Sequence, residues 1–433
     1  MAAGRRPAAE VCRTALVKRQ AGDPRGAQPP LSGSPCQERQ SDAPCKQATN
    51  SDTGWTWPPQ RPPGRDMALV SNPGSTFARR MFIAMVLIGA TASVASAQWT
   101  VVNLHPAGAD VSQAYGVSDG QQVGYAAFDA GGHAGLWSGT AASWVDLHPV
   151  SQAFSYLNAA GGGQQVGYSG IVGTEAHAAL WTGSAASWVD LNPIVASSSV
   201  ARGVSAGQQV GSARLGSSSR ASLWTGTAES WVDLTPAGLT TSIAYGVRNG
   251  QQAGSAVVSG WNHASLWSGS AASWVDLNPS GATQSEAFGI DVGQQVGIAD
   301  VGGVTRASLW SGTAASWVDL NPAFATQSVA FGVDGGNQVG QFNVGGAWHA
   351  SIWSGTADSC VDLSLFLPAD FTYSIAQGVW HDGTSTYVVG TASRTNGRVE
   401  AMMWVQTVPT PSGLLTLGTG LVLATRRRRG CAR

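Results

Sequence analysis

Six aspartates, Asp146, Asp190, Asp233, Asp276, Asp319 and Asp362, recur at intervals of 43 or 44 residues. Carboxylates ligate calcium, but calcium needs about six to eight oxygens converging on one point, and side chains one repeat apart belong to separate structural units. Each is expected instead to accept hydrogen bonds from the turn before the Pro that follows. Four histidines, His133, His177, His263 and His349, stand just before an Ala-x-Leu/Ile-Trp block, and Arg220 and Arg306 replace them in two copies. Imidazole binds metals whereas guanidinium does not, so a polar role at a strand start is expected and no metal site.

Residues that depart from the repeat are the places to look for catalysis: Glu175, Arg202, Glu229, Arg248, Glu286, Asp300 and the adjacent pair His381 and Asp382. The pair precedes Gly383 in a turn-like stretch, without a Ser or Cys in a recognisable frame. No catalytic residue is assigned. Gly161, Gly162 and Gly163 lack the helix and Lys of a phosphate cradle. Three tryptophans fall off the repeat, Trp261 and Trp348 between the second and third blocks of their copies and Trp380 after a first block. Loop aromatics on one rim would stack on sugar rings; packing against a neighbouring strand is the plainer reading.

The elements that position these residues follow from a beat of tryptophans at Trp137, Trp181, Trp224, Trp267, Trp310 and Trp353, again every 43 or 44 residues. A period in the forties is that of a four-stranded propeller blade. Each copy holds four strand-length blocks, exemplified by Ala287–Ile290, Gln294–Gly297, Ala307–Trp310 and Ser316–Pro322, separated by turn-forming residues. Five residues join the third block to the fourth and nine separate the Leu of the fourth, such as Leu277, from the next copy at Ala287, so the longer link is the crossover between blades.

First blocks at 114–117, 154–157, 201–204, 244–247, 287–290, 330–333 and 376–379 predict seven inner strands, but only six fourth blocks follow them. The segment Trp99–Leu104 supplies the seventh. The expected fold is all-β, a seven-bladed β-propeller of four-stranded blades, with the N-terminal strand completing the last blade beside Ala401–Trp404 and removing an open edge. Within Trp274-Val-Asp-Leu277, strand alternation sets Trp and Asp on one face and Val and Leu on the other.

Between Gln98 and Thr407 the chain has seven basic residues, all Arg, against 19 acidic ones, a formal charge near −12. Phosphate backbones need the opposite sign, which argues against a nucleic-acid partner. Cys360 is the one cysteine of the repeat region and stands where other copies have Trp144, Trp188, Trp231, Trp274 and Trp317. It reads as a small hydrophobe in a tryptophan slot, with neither disulfide nor cofactor implied.

Residues 81–97 form an apolar run after Arg79 and Arg80, closed by Ala95-x-Ala97, which predicts an export signal cleaved before Gln98. Signal peptides start near the N-terminus, so translation from Met67 is expected, with 67–97 as the signal region and 1–66 as a misassigned or disordered extension. Arg79 and Arg80 partly match a twin-arginine signal; ordinary Sec export is favoured. Residues 408–433 run from Pro409 and Pro411 through an apolar Leu414–Thr425 to Arg426–Arg429, too short to span a bilayer. The layout resembles the PEP-CTERM sorting signal, with Thr410 in place of its Glu, and implies transient membrane attachment before release or anchoring outside the cell. A basic tail resting on the membrane surface is the alternative.

Across 98–407 the repeat resembles the HAF family of extracellular repeats, on Ala330-Phe-Gly-Val-Asp334, Asn337-Gln-Val-Gly340, His349-Ala-Ser-Ile-Trp353 and Val361-Asp-Leu363. Ser222, Ser265, Ser308 and Ser351 replace the family's Phe. The resemblance implies export and repetition but no reaction. The expected role is a monomeric cell-surface or matrix module, structural or binding, facing extracellular polysaccharide or surface proteins. Carbohydrate binding through Trp261, Trp348 and Trp380 is the second reading, and a polysaccharide hydrolase or lyase the third.

Overall fold

A computed structural model describes residues 98–128, 131–171 and 173–407. The expected export signal and sorting tail lie outside the described residues. The chain forms seven four-stranded antiparallel sheets. Six are built consecutively, the first from Val111–Ser118, Gln121–Phe128, Gly131–Trp137 and Val145–Asp146. The seventh takes Phe371–His381, Ser385–Arg394 and Val399–Thr407 and receives Trp99–Asn103 as its outer strand. Trp99 lies opposite Gln406 and Asn103 opposite Met402, and Leu104 N donates to Ala401 O at 2.9 Å. The ring is therefore closed by the two ends of the repeat array, as the strand count requires.

A serine near the start of each inner strand fastens one blade to the one before it. Ser155, Ser199, Ser242, Ser285, Ser328 and Ser374 accept from the amides of Ala134, Ala178, Ala221, Ala264, Ala307 and Ala350, each at 2.9 Å. Ser112 accepts from Ala401 at the same 2.9 Å. A buried amide without a partner is costly, so this repeated bond sets how far each blade stands from the next.

The inner strands are pressed together at the axis. A Cβ on Gly378 would lie 3.1 Å from Tyr115 O and 3.3 Å from Gly116 Cα, and one on Gly289 only 2.8 Å from Phe331 O. The Gly of Ala-x-Gly-Val is thus set by backbone approach between blades. The pairing register also skips the residue between Ala and Gly, as between Ala114 and Gly116, which marks a β-bulge. In the second blade Leu157 faces Gly167 as Ala114 faces Gly124. Its counterpart of Ala-x-Gly-Val is therefore 157–160, three residues beyond the expected 154–157, because the glycine of the second strand sets the ladder.

One tryptophan layer packs every blade and a second packs blades one to five. Trp137, Trp181, Trp224, Trp267, Trp310, Trp353 and Trp404 of the third strands are wholly buried. Burying about 200 Å² of each stabilises the ring by about 5 kcal/mol on area alone. The outer layer lies over them half-buried, with the Trp137 and Trp144 rings 4.7 Å apart. Its indoles donate to third-strand serines, Trp231 to Ser222 at 2.8 Å and Trp274 to Ser265 and Trp317 to Ser308 at 2.9 Å. The outer strand is shorter than expected: a 3-10 turn such as Ala271–Ser273 precedes it and only Val275–Asp276 pairs. Val275 faces solvent while Leu277 is fully buried, so the two do not share a face. The perimeter strand has no neighbour outside it to cover Val.

Candidate functional site

The periodic polar residues turn out to hold the blades. In six blades one oxygen of the repeated Asp accepts the amide two residues on, as His148 N to Asp146 Oδ1 and Asn321 N to Asp319 Oδ1 at 2.8 Å. This is the turn role expected of them. The other oxygen binds the residue that opens the Ala-x-Leu/Ile-Trp block. His133, His177, His263 and His349 place Nδ1 2.8 Å from Asp146, Asp190, Asp276 and Asp362. Arg306 reaches Asp319 at 2.7 Å and Arg220 reaches Asp233 at 3.5 Å. The pairing explains why Arg and His interchange, since both donate to a carboxylate across two strands. The shared partner was visible in the sequence as a constant offset between the two series.

The second Gln of Gln-Gln-Val-Gly has a similar task. Gln252 Nε2 donates to Gly250 O at 2.8 Å and its Oε1 accepts from Gly269 N at 2.7 Å. It ties the turn after the inner strand to the loop after the third strand. Nor do His381 and Asp382 form a dyad. Asp382 accepts from the amides of Thr384 and Ser385, both at 2.7 Å, and these bonds hold its carboxyl down at about 2. His381 Nδ1 lies 3.3 Å from Thr386 Oγ1. Among the described residues no group of three or more His, Cys, Asp or Glu is placed to hold a metal ion.

The three off-beat tryptophans sit within strands and are not brought together. Trp261 opens Trp261–Trp267 and Trp348 is second in Ala347–Trp353, because two-residue turns, Ser259-Gly260 and Gly345-Gly346, leave no loop for them. Trp261 is 52 % exposed. Trp380 belongs to Phe371–His381, which pairs on past Trp380 to His381. Strands alternate in direction, so the end of an inner strand and the start of a third strand lie at opposite ends of the ring. Trp380 therefore stands on one face of the propeller and Trp261 and Trp348 on the other.

Trp380 lines the mouth of the central channel, a cavity of about 310 Å³. Its floor is the last residue of each Ala-x-Gly-Val block, Val117, Ala160, Val204, Val247, Ile290, Val333 and Val379. Its rim carries Asp119, Asp291, Asp334 and Arg248 beside Trp380. The three carboxylates bridge blades: Asp119 accepts from Gly162 N at 3.0 Å, Asp291 from Gly335 N at 3.2 Å and Asp334 from His381 N at 2.7 Å. Arg248 Nε lies 3.2 Å from Asp291 Oδ1. Burial and the nearby Asp291 raise the Asp334 carboxyl above its ordinary range. Trp380 stacks on Tyr387 with ring centroids 5.3 Å apart. The mouth thus offers an apolar floor, one aromatic wall and acceptors in excess of donors.

Below the mouth the bulge residues Tyr115, Asn158, Arg202, Tyr245, Phe288, Phe331 and Gln377 form a ring in which no two neighbours repeat except the phenylalanines. Bulges re-aim side chains, and here they meet from blade to blade. Arg202 lies over the Tyr245 ring at 5.4 Å, and Tyr245 meets Phe288 at 5.2 Å. The Tyr245 hydroxyl donates to Glu286 at 2.9 Å. Burial and that carboxylate push its phenol well above the ordinary value. The signal for this ring was the x of Ala-x-Gly-Val, a slot whose chemical type changes in a chain that otherwise copies itself.

No family model matches the chain, and no curated protein matches it. Among solved structures it is similar to a puromycin hydrolase S511A mutant complexed with PGG, at 14 % identity and a TM-score of 0.44 over 67 % of this chain and 53 % of that one. It is also similar to a Mycobacterium tuberculosis puromycin-hydrolyzing peptidase, at 12 % and 0.42 over 73 % and 57 %. A third likeness is to the β-propeller domain of the Trilobed protease from Pyrococcus furiosus, at 7 % and 0.46 over 71 % and 99 %. The chain spans about half the length of the puromycin hydrolase it matches. The assignment of this chain as a seven-bladed β-propeller rests on its own strand pairing.

Proposed function

We propose that this chain is an exported, non-catalytic binding module of the cell surface or extracellular matrix, of the HAF-repeat kind, that takes a saccharide end group at its channel mouth. One observation carries the reading: the periodic Asp, His, Arg and Gln side chains are engaged in holding blades together, while Trp380, Arg248, Asp119, Asp291 and Asp334 meet at the channel mouth. Trp380 offers a ring face to the apolar side of a sugar, and Asp119, Asp291 and Asp334 offer acceptors to its hydroxyls. The net acidic rim disfavours uronates and sulfated sugars. The export signal and sorting tail read from the sequence supply the location.

The test is retention of the purified full chain on insoluble matrix polysaccharide, neutral or aminated. Trp380→Ala should cut retention at least fivefold with an unchanged unfolding midpoint. Equal retention of parent and variant removes the mouth as the binding site.

A further inference from the structure

Between Trp137 and Trp353 the beat of third-strand tryptophans has one irregular interval, from Trp137 to Trp181, which carries an extra residue. That residue falls between Ser169 and His177, which end the paired parts of the second and third strands of blade two. In blade four the pairing runs past His263 to Asn262 and Trp261. In blade two it stops at His177, opposite Ser169. A cleft of about 260 Å³ lies at the break, lined by Gln152, Ile171, Glu175, His177, Trp188 and Asp190 among others.

A second departure coincides with the first. Trp231, Trp274 and Trp317 donate their indole N–H to a serine of the third strand. Blade two has Ala179 at that place, and Trp188 donates instead to Ser169 of the second strand at 3.0 Å. The indole is held at the broken hairpin, fixed before any ligand arrives. His177 is the most open of the four paired histidines, with 39 % of its side chain exposed against 19 to 29 % for the others. Its Nδ1 is fixed by Asp190 at 2.8 Å.

We infer that this cleft is a second binding site, for a single pyranose unit of a neutral or amino-sugar glycan. An anchored indole face suits the C–H side of a sugar ring. The carboxylates of Glu175 and Asp190, the Gln152 amide and the His177 imidazole suit its hydroxyls. The volume lies just below the range of drug-sized pockets, about 300 to 1,000 Å³, and matches one ring. Two carboxylates in the lining select against uronates. The site does not rest on the channel mouth, which lies at the other end of the ring.

The experiment is calorimetric titration of the full chain with cellotetraose, a glucosamine tetramer and tetragalacturonate. The first two should bind and the third at least tenfold more weakly. His177→Arg keeps the fold, because Arg220 and Arg306 fill that place in two blades, and its longer side chain enters the cleft. It should weaken both complexes at least tenfold, and Glu175→Ala should weaken the glucosamine complex more than the neutral one. Trp380→Ala, which tests the mouth, should leave this binding event in place. Absence of binding by all three oligomers overturns the proposal, as does binding indifferent to His177→Arg and Glu175→Ala. Binding lost in Trp380→Ala but intact in His177→Arg assigns the sugar to the mouth and overturns the cleft.

Discussion

The amide of Ala401 donates to the Ser112 hydroxyl at 2.9 Å, joining residues 289 positions apart through the same bond that links every other pair of adjacent blades. The seam of the ring is therefore built like its six other joints. Ser112→Ala leaves a buried N–H unsatisfied, which costs about 1 to 3 kcal/mol. Its unfolding midpoint should fall by as much as that of Ser242→Ala, in an internal blade. A smaller loss at Ser112 would show the seam to be loose.

The N-terminal strand should matter more than any single bond. Trp99 and Leu104 are buried, and Asn103 Nδ2 donates to Glu400 Oε2 at 2.7 Å on the strand it completes. Removing residues 98–104 uncovers the edge of Val399–Thr407 and invites pairing between molecules. The shortened chain should self-associate on gel filtration, and added peptide of sequence 98–104 should restore the elution position of the full chain.

Acid should loosen the ring through two histidines that replace asparagine. His148 and His105 stand where Asn192, Asn278 and Asn321 bind the blade serines, with Nδ1 at 2.9 Å from Ser155 and 2.8 Å from Ser112. Burial lowers both below the ordinary imidazole value, and His133, stacked on His148 at 4.1 Å, lowers that one further. The unfolded chain then takes up protons before the folded one, so stability falls as pH drops below about 6.5 towards the folded values. His105→Asn with His148→Asn should flatten the unfolding midpoint between pH 7 and pH 5. An unchanged slope would place the acid sensitivity elsewhere.

Cys360 stands in blade six at the place that Trp144, Trp188, Trp231, Trp274 and Trp317 hold in blades one to five. Ser351 Oγ, whose counterparts Ser222, Ser265 and Ser308 accept an indole N–H, is buried there without a partner. Cys360→Trp should restore that bond and add ring burial, raising stability by about 1 kcal/mol or more. The native thiol, pushed by burial up to about 12, should resist alkylation until the protein unfolds, which mass spectrometry of residue 360 would report.

Most of the ring was readable in the sequence because each blade repeats the same local instruction. The count of inner against outer strands fixed even the closure at Trp99, since an unpaired edge has one place to go. What escaped were contacts that depend on register. Val275 and Leu277 alternate in sequence, yet the perimeter buries one and exposes the other. Within the inner strand of blade two the Ala-x-Gly-Val place falls at 157–160 and not 154–157, because Gly167, on another strand, sets it. Trp261, Trp348 and Trp380 looked alike as departures from the repeat, and strand direction separates them onto opposite faces. The bonds of Asp146 to the turn were readable; its pairing with His133 joins two strands that sequence leaves unconnected.

The claim that binding without turnover is the task of this propeller is tested most directly by incubating the full chain with neutral and aminated polysaccharides. Bound protein and released reducing ends are measured together. The account predicts saturable binding with no release above the buffer. Release of reducing ends that disappears in His381→Ala or Asp382→Asn would contradict it.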